Sequence, residues 1–202
     1  MLLIIRCTRE NFHMSYSTVI TNPDASTNLI IVMGVSGSGK SSLAKALADH
    51  YGYDYLDGDD FHSQEARDRM AKGLPLTDAM RLPWVIRMRE YFRDAARKHQ
   101  HSTLAFSGLK RAHRDELRKA GLKTIFLFLH SDKDTIQTRV NKRAGHFMAP
   151  SLVDSQFESL EDPSHEVDVF QIDVNAPLDQ VLALAIGVID RELHCQPDAL
   201  LA

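Results

Sequence analysis

One glycine-rich stretch has residue types and a spacing that can bind phosphate. It reads Gly34-Val35-Ser36-Gly37-Ser38-Gly39-Lys40-Ser41 and fits the pattern G-x-x-x-x-G-K-S/T without a gap. Glycines let successive backbone N–H groups turn towards one anion, and the dipole of a following helix adds positive potential there. We expect Lys40 to reach the outer phosphates of a nucleotide and the Ser41 hydroxyl to ligate Mg²⁺. The predicted nucleotide contacts are this whole stretch and the next residue, Ser42.

The segments on either side of the glycine-rich stretch provide the context that the motif requires. An apolar run at 29–33 leads into it, and apolar residues at helical spacing follow it over 42–50. A buried strand, a glycine loop and a helix N-terminus therefore follow one another. This order favours phosphate binding over the alternative, a glycine turn that binds nothing.

Acidic residues follow the second predicted strand, which spans 53–56. Asp57, Asp59 and Asp60 place three carboxylates within four residues, and these repel one another unless cations lie near. Ligands of open α/β sheets bind at the carboxyl ends of the strands, so these acids are expected close to phosphate and metal. Asp57 ends the hydrophobic run and is the predicted Mg²⁺-side carboxylate, acting through water. The alternative interpretation is an acidic surface turn.

The elements that must position these residues alternate between strand and helix five times. Further strands are predicted at 103–106, 123–130 and 169–173, and the second of these is the unbroken apolar run typical of a strand covered on both faces. Right-handed crossovers then make an α/β fold with a five-stranded parallel sheet and helices on both faces. Helical patterns lie between the strands, and two of them begin near Pro83 and after Ser131. The others span 42–50, 63–72, 111–121, 151–160 and 177–193.

Three details of the predicted helices depend on single residues. Thr77 is a candidate N-cap, and Pro83 suits the first turn of a long helix. Ser131 is predicted to cap the helix that carries Arg139 and Arg143, which lie four residues apart and share a face. The long helix should pack into the core through a stripe of four residues, Trp84, Met88, Tyr91 and Ala95.

Length and composition indicate one globular domain. The 202 residues are 44% hydrophobic and 25% charged, which suits a single α/β domain over 28–202. Residues 1–27 read as an extension in loop or disorder, and Met14 is an alternative start. The net charge of −3 suggests no nucleic-acid partner, and no apolar run approaches the length of a membrane helix. The two cysteines lack metal-site spacing and are interpreted as reduced cytosolic thiols.

Seven stretches taken together resemble the gluconate kinase family, in unbroken order over about 28–190. The phosphate loop alone is generic, whereas G-H-F-M at 145–148, S-Q-F-E at 155–158 and R-L-P-W at 81–84 are more specific. The chain departs from the usual family pattern at Gly108 and His113, where alanine and tyrosine are common. The matching stretches are 33–41, 56–62, 73–78, 81–84, 107–110 with Arg114 and Asp115, 143–148 and 155–158.

The resemblance implies a P-loop kinase of the nucleoside-monophosphate-kinase-like fold that phosphorylates the 6-hydroxyl of D-gluconate with ATP and Mg²⁺. It also implies a cytoplasmic homodimer, a small lid at about 139–160 and a substrate-side helical insertion at 57–82. Arg139 and Arg143 resemble arginines that pack on adenine and clamp the transferring phosphate. Pro177 belongs to a loop that resembles the adenine-edge loop. The predicted catalytic residues are Lys40, Asp59 and Arg143.

A sugar acid presents a carboxylate, which needs cations or several hydrogen-bond donors once it leaves water. Asp59 is predicted to orient or deprotonate the acceptor hydroxyl, although Asp57 could exchange roles with it. Two other hypotheses are a related kinase of shikimate or a nucleotide, and a nucleotide-binding regulatory module without turnover. The candidates for the substrate carboxylate are His62, Arg81, Lys110 and Arg114.

Overall fold

The computed structural model describes residues 27–74, 76–142 and 150–194. Nearly all of the predicted extension lies outside these ranges. So does Arg143, together with the rest of the predicted lid loop up to residue 149.

Five parallel strands form one sheet in the order β2-β3-β1-β4-β5. The central strand β1 has both neighbours in register, with Met33 opposite Phe106 on one side and Phe128 on the other. The predicted sheet is therefore confirmed, and the strand that leads into the glycine loop lies at its centre. The strands are β1 Asn28–Met33, β2 Asp54–Asp57, β3 Ser102–Phe106, β4 Lys123–His130 and β5 Val169–Asp173.

Helices cover both faces of the sheet, as predicted. Side chains alternate along β1, so Ile31 faces a core formed with α3 and α4, and Ile30 faces a second core formed with α1 and α7. A short 3₁₀ turn, Gly58–Phe61, follows β2 directly. The helices are α1 Lys40–Tyr51, α2 Gln64–Ala71, α3 Asp78–Arg97, α4 Arg111–Arg118, α5 Lys133–Lys142, α6 Pro150–Ser159 and α7 Leu178–His194. Among the described residues, no helix is long and apolar enough to cross a membrane.

The long helix α3 begins earlier than its proline predicts. The Thr77 hydroxyl accepts a hydrogen bond from the Met80 N–H at 3.4 Å, so Thr77 is the N-cap as predicted. Pro83 consequently lies in the second turn, and its predicted place in the first turn is wrong. The helix continues through Pro83 because it buries Trp84, Val85, Met88 and Phe92 in the core.

Two other single-residue expectations for the helices are corrected. Tyr91 is 45% exposed, and the adjacent Phe92 is fully buried, because Phe92 continues the i, i+4 spacing from Met88. Asp132 rather than Ser131 caps α5, since its carboxylate accepts a hydrogen bond from the Thr135 N–H at 2.7 Å. The Ser131 hydroxyl instead donates to the side-chain oxygen of Asn175 at 2.6 Å.

Candidate active site

The glycine-rich loop connects the central strand β1 to the first turn of α1. Within the described chain, no side chain caps this end of α1 and no acidic residue lies in its first turn. Its N–H groups are therefore oriented for an external anion. Gly37 has a φ of +85°, and an added Cβ would lie 2.6 Å from a methyl group of Val140 on α5. Only glycine allows the loop to lie so close to α5.

A hydroxyl and a carboxylate meet beside this loop. The Ser41 Oγ donates to Asp57 Oδ2 at 3.2 Å, and the Tyr55 hydroxyl donates to the same oxygen at 3.0 Å. The other carboxylate oxygen of Asp57 accepts from the Asp59 N–H at 3.1 Å. The predicted Mg²⁺-side residues, Ser41 and Asp57, are thus brought together from α1 and β2.

The chemistry of this pair fits Mg²⁺. Within residues 27–74, 76–142 and 150–194, no group of three or more His, Cys, Asp or Glu side chains could hold a metal ion alone. Mg²⁺ in phosphate-transferring sites usually takes one or two protein oxygens and completes its shell with water and phosphate oxygens. Ser41 and Asp57 are oxygen donors of that kind at the place where the phosphates would lie.

The Asp59 carboxylate is exposed beside Asp57. Protein atoms around the carboxyl partly desolvate it and the negative charges of Asp57 and Asp60 add to this, so the pKa of Asp59 is raised, while Lys40 opposes the shift. The side chain nevertheless keeps 84% of its surface exposed, so solvent screens much of this effect in the open site. Asp59 is therefore available to a substrate hydroxyl, whereas both oxygens of Asp57 already accept hydrogen bonds.

His62 does not supply a positive charge at neutral pH. Its imidazole is 5% exposed and stacks on Trp84, with 4.3 Å between ring centroids. Burial, together with smaller contributions from nearby arginines, lowers the pKa of His62 to about 4. His62 is therefore not a cation at neutral pH, and its predicted contact with the substrate stays a prediction. The arginines that act on it are Arg87, Arg67 and Arg81.

Arg81 lies one turn along α3 from Asp78, which is the ion-pair partner of Lys110. Burial lowers the pKa of His113, and the positive charges of Arg81 and Lys110 both contribute, so both cations lie near that ring. Lys110 forms an ion pair with Asp78 at 2.7 Å. Arg81 is half-buried, and among the described residues its side chain makes no hydrogen bond or ion pair. The structure thus brings two of the four predicted carboxylate-binding residues together.

Arg114 is a structural residue, and its predicted role in substrate binding is wrong. Its side chain has no exposed surface and forms a buried ion pair with Glu166. The guanidinium also donates to the backbone carbonyl of Gly108 at 2.6 Å and to that of Glu161 at 3.3 Å. Arg114 therefore stabilises the turn before Lys110 from the buried side of that turn.

A cavity of about 200 Å³ opens next to the phosphate loop and suits a nucleotide base. It is lined by the start of α1, by Arg139 and by the residues on both sides of Pro177, which itself lies outside the lining. Arg139 donates to the Val174 carbonyl at 2.5 Å, so its guanidinium is held at the cavity wall. A larger open groove of about 470 Å³ between β5 and α7 contains none of the predicted site residues.

Two contacts in the site were missed at the level of sequence. Tyr55 donates to Asp57, and the two-residue spacing along a strand could have revealed that they share a face. Gln156 on α6 accepts a hydrogen bond from the Ser36 N–H at 2.6 Å across 120 residues. No local pattern indicates that second contact.

Comparisons with known proteins agree with this geometry. A family model described as an AAA domain matches residues 29–162. The thermosensitive gluconokinase of Escherichia coli (strain K12) is 42% identical over 146 residues, covering 72% of this chain and 78% of the relative. The gluconokinase of Arabidopsis thaliana is 37% identical over 184 residues, covering 85% and 97%. The chain belongs to the gluconokinase family.

Solved structures support the same assignment of fold. A gluconokinase from Sinorhizobium meliloti 1021 is 38% identical, with a TM-score of 0.75 over 84% of this chain and 94% of that chain. The APS kinase CysC of Mycobacterium tuberculosis, at 20% identity and a TM-score of 0.59, shares the fold alone. The predicted resemblance to gluconokinases and the P-loop kinase fold are therefore confirmed.

Proposed function

We propose that this member of the gluconokinase family transfers the γ-phosphoryl group of ATP to the 6-hydroxyl of D-gluconate. One observation carries the proposal. The exposed carboxylate of Asp59 lies beside Asp57, which accepts a hydrogen bond from Ser41 of the phosphate loop. The positive charges of Arg81 and Lys110 act on the other side of this region at His113. A phosphate donor, a hydroxyl acceptor and a carboxylate at the far end of the acceptor match this arrangement.

The donor end of the cleft would hold ATP. The base would enter the cavity beside Arg139, and the phosphates would lie on the loop and the first turn of α1. Lys40 would move from the Val35 carbonyl, 3.0 Å away, to the phosphates. Mg²⁺ bound at Ser41 and Asp57 would neutralise charge on the phosphate oxygens.

The acceptor end would depend on Asp59. Its exposed carboxylate can accept a hydrogen bond from the 6-hydroxyl and orient that oxygen towards phosphorus. A raised pKa also makes Asp59 a better acceptor of the hydroxyl proton. Asp57 stays with the hydroxyl of Ser41, so the two carboxylates take different roles.

The carboxylate of gluconate would bind Arg81 and Lys110. Lys110 would exchange its partner, since the exposed Asp78 can return to water when the substrate carboxylate arrives. A clamp by Arg143 from a closing lid, the homodimer and the cytoplasmic location remain predictions. A closed lid would exclude water, which would otherwise hydrolyse ATP.

The substrate assignment is tested by ADP release in the presence of gluconate, sorbitol, glucose and shikimate. Losing one charged hydrogen bond lowers kcat/KM by roughly ten- to a hundredfold, so gluconate should exceed sorbitol by at least that factor. Lys40→Met should lower the rate of ADP release by about 10²–10³-fold with every substrate. Equal turnover of gluconate and sorbitol would contradict the proposal.

The Lys110→Met variant locates the carboxylate. It should harm gluconate turnover more than sorbitol turnover, because only gluconate carries the anion. Lys98→Met is the matched control. Lys98 is exposed at the C-terminal end of α3, whereas Asp78, the partner of Lys110, lies at the N-terminal end. If Lys110→Met lowers both activities alike, Lys110 acts on phosphate or on structure, and Arg81 becomes the carboxylate residue.

A further inference from the structure

We propose that Gln156 is a positioning residue for the phosphate loop. Its side chain reaches from α6 and holds one peptide unit of the loop in the orientation that phosphate binding needs. The inference rests on the proposed function only in that the phosphates are those of ATP.

The peptide unit between Val35 and Ser36 is held from both ends. Its N–H donates to Gln156 Oε1 at 2.6 Å, and its carbonyl accepts from Lys40 Nζ at 3.0 Å and from the Ser38 N–H at 3.3 Å. The described peptide bonds are all trans, so the carbonyl and the N–H of this unit point in opposite directions. Lys40 therefore lies on one side of the loop, and Gln156 lies behind it.

Nucleotide binding is expected to change the Lys40 contact. Lys40 turns towards the phosphates, which weakens its hold on the Val35 carbonyl. The hydrogen bond from the Ser36 N–H to Gln156 lies on the other side of the peptide unit. It can therefore persist whether or not a nucleotide is bound. Gln156 therefore continues to oppose rotation of the peptide unit while the phosphates are bound.

Apolar packing holds α6 at the right distance for this contact. Val35 of the loop is 4% exposed and packs in a small core with Val153 and Phe157 of α6. Residues 153, 156 and 157 share one face of the helix, so Gln156 lies on the face that packs against the loop. The same core includes Ile136 and Val140 of α5 and Leu109, which precedes Lys110.

The competing possibility is that the amide nitrogen of Gln156 binds the phosphates directly. The two possibilities differ in the group that matters. A positioning role needs an acceptor for the Ser36 N–H, whereas a phosphate contact needs a donor. Gln156→Leu removes both groups, and Gln156→Glu keeps an acceptor while it replaces the donor with a negative charge.

The experiment measures the dissociation constant of ATP without gluconate, followed by kcat and both KM values. Gln156→Leu should weaken ATP binding by about tenfold, because the Ser36 N–H loses its partner. Gln156→Glu should bind ATP more tightly than Gln156→Leu, and the KM for gluconate should change by less than about twofold in either. Glu158→Gln is the control, since Glu158 is exposed two residues further along α6.

Two results would overturn the proposal. ATP binding by Gln156→Leu within about twofold of wild type would show that the contact does not position the loop. Weaker binding by Gln156→Glu than by Gln156→Leu at high salt, where repulsion between the new charge and the phosphates is screened, would show that the amide contacts phosphate. Melting temperatures check folding, and Gln156→Met replaces the leucine variant if that protein is unstable. Because ATP binding is measured without gluconate, a wrong sugar substrate would leave this result intact.

Discussion

The surroundings of His62 determine its charge, and this limits what it can do for a substrate. The ring is enclosed by Trp84 and lies among arginines, so a proton on it would be buried next to like charges. Nε2 lies 3.7 Å from a carboxylate oxygen of Asp59. At that distance a neutral His62 makes no hydrogen bond to Asp59, and the binding of a substrate anion is left to Arg81 and Lys110.

Lowering the pH should therefore destabilise the fold through His62. The folded pKa of about 4 lies below the ordinary 6.5, so the unfolded chain takes up the proton first. The free energy of unfolding should fall as the pH drops from about 6.5 to 4, with a contribution of about 2 kcal/mol at pH 5. Urea unfolding at pH 7 and pH 5 measures this loss.

The matched variant for this measurement is His62→Phe, which keeps a ring against Trp84 and cannot titrate. Between pH 7 and pH 5, the free energy of unfolding should fall in both proteins. The fall should be about 2 kcal/mol smaller in His62→Phe than in wild type. The pKa values of His101 and His113 are also lowered by burial, but both residues remain in the variant and cancel in the comparison. Identical pH dependence in the two proteins would show that His62 accepts a proton normally.

At the level of elements, a buried network of charges joins α4 to the segment that leads into β5. Arg114 pairs with Glu166, which also accepts from Arg118 at 2.5 Å. Arg118 bonds Asp168 as well, at 2.7 Å, one residue before the strand begins. Nearby carbonyls, including that of Gly108, complete the shell of Arg114, so the network supports the turn that carries Lys110.

Removing one partner from this network should cost stability rather than substrate binding. Arg114→Met leaves Glu166 buried and only partly paired, which should lower the free energy of unfolding by about 3 kcal/mol. Arg111→Met, at an exposed position on the same helix, should change it by less than about 0.5 kcal/mol. Urea unfolding compares the two variants. Unchanged stability together with a raised KM for gluconate would return Arg114 to the substrate site.

For the whole molecule, we predict that the residues before Thr27 can be removed without loss of the fold. Thr27 is 6% exposed and its carbonyl accepts from the Lys123 N–H at 2.9 Å, so it belongs with the sheet. The two main cores of the described chain are built from residues between 29 and 189. We therefore expect deletion of residues 1–26 to leave the melting temperature and the kinase activity nearly unchanged. A large loss of either would show that the extension packs on the domain.

The sequence was sufficient for features that arise from local patterns. The strands at 123–130 and 169–173 were predicted with their observed bounds, because apolar period and turn residues are properties of neighbouring positions. The phosphate loop was predicted for the same reason, since its glycines, Lys40 and Ser41 act within one strand–loop–helix unit. The strand after it also placed Asp57 correctly beside Ser41.

The tertiary structure decided every property that depends on distant partners. Arg114 and Lys110 are both candidates for the substrate carboxylate in the sequence, but only Arg114 meets a buried carboxylate, 52 residues further on. His62 became neutral because other helices enclose it, and Gln156 reached Ser36 because an apolar core brings α6 onto the loop. Burial and charge pairing depend on which residues meet in space, and no local pattern in the chain carries that information.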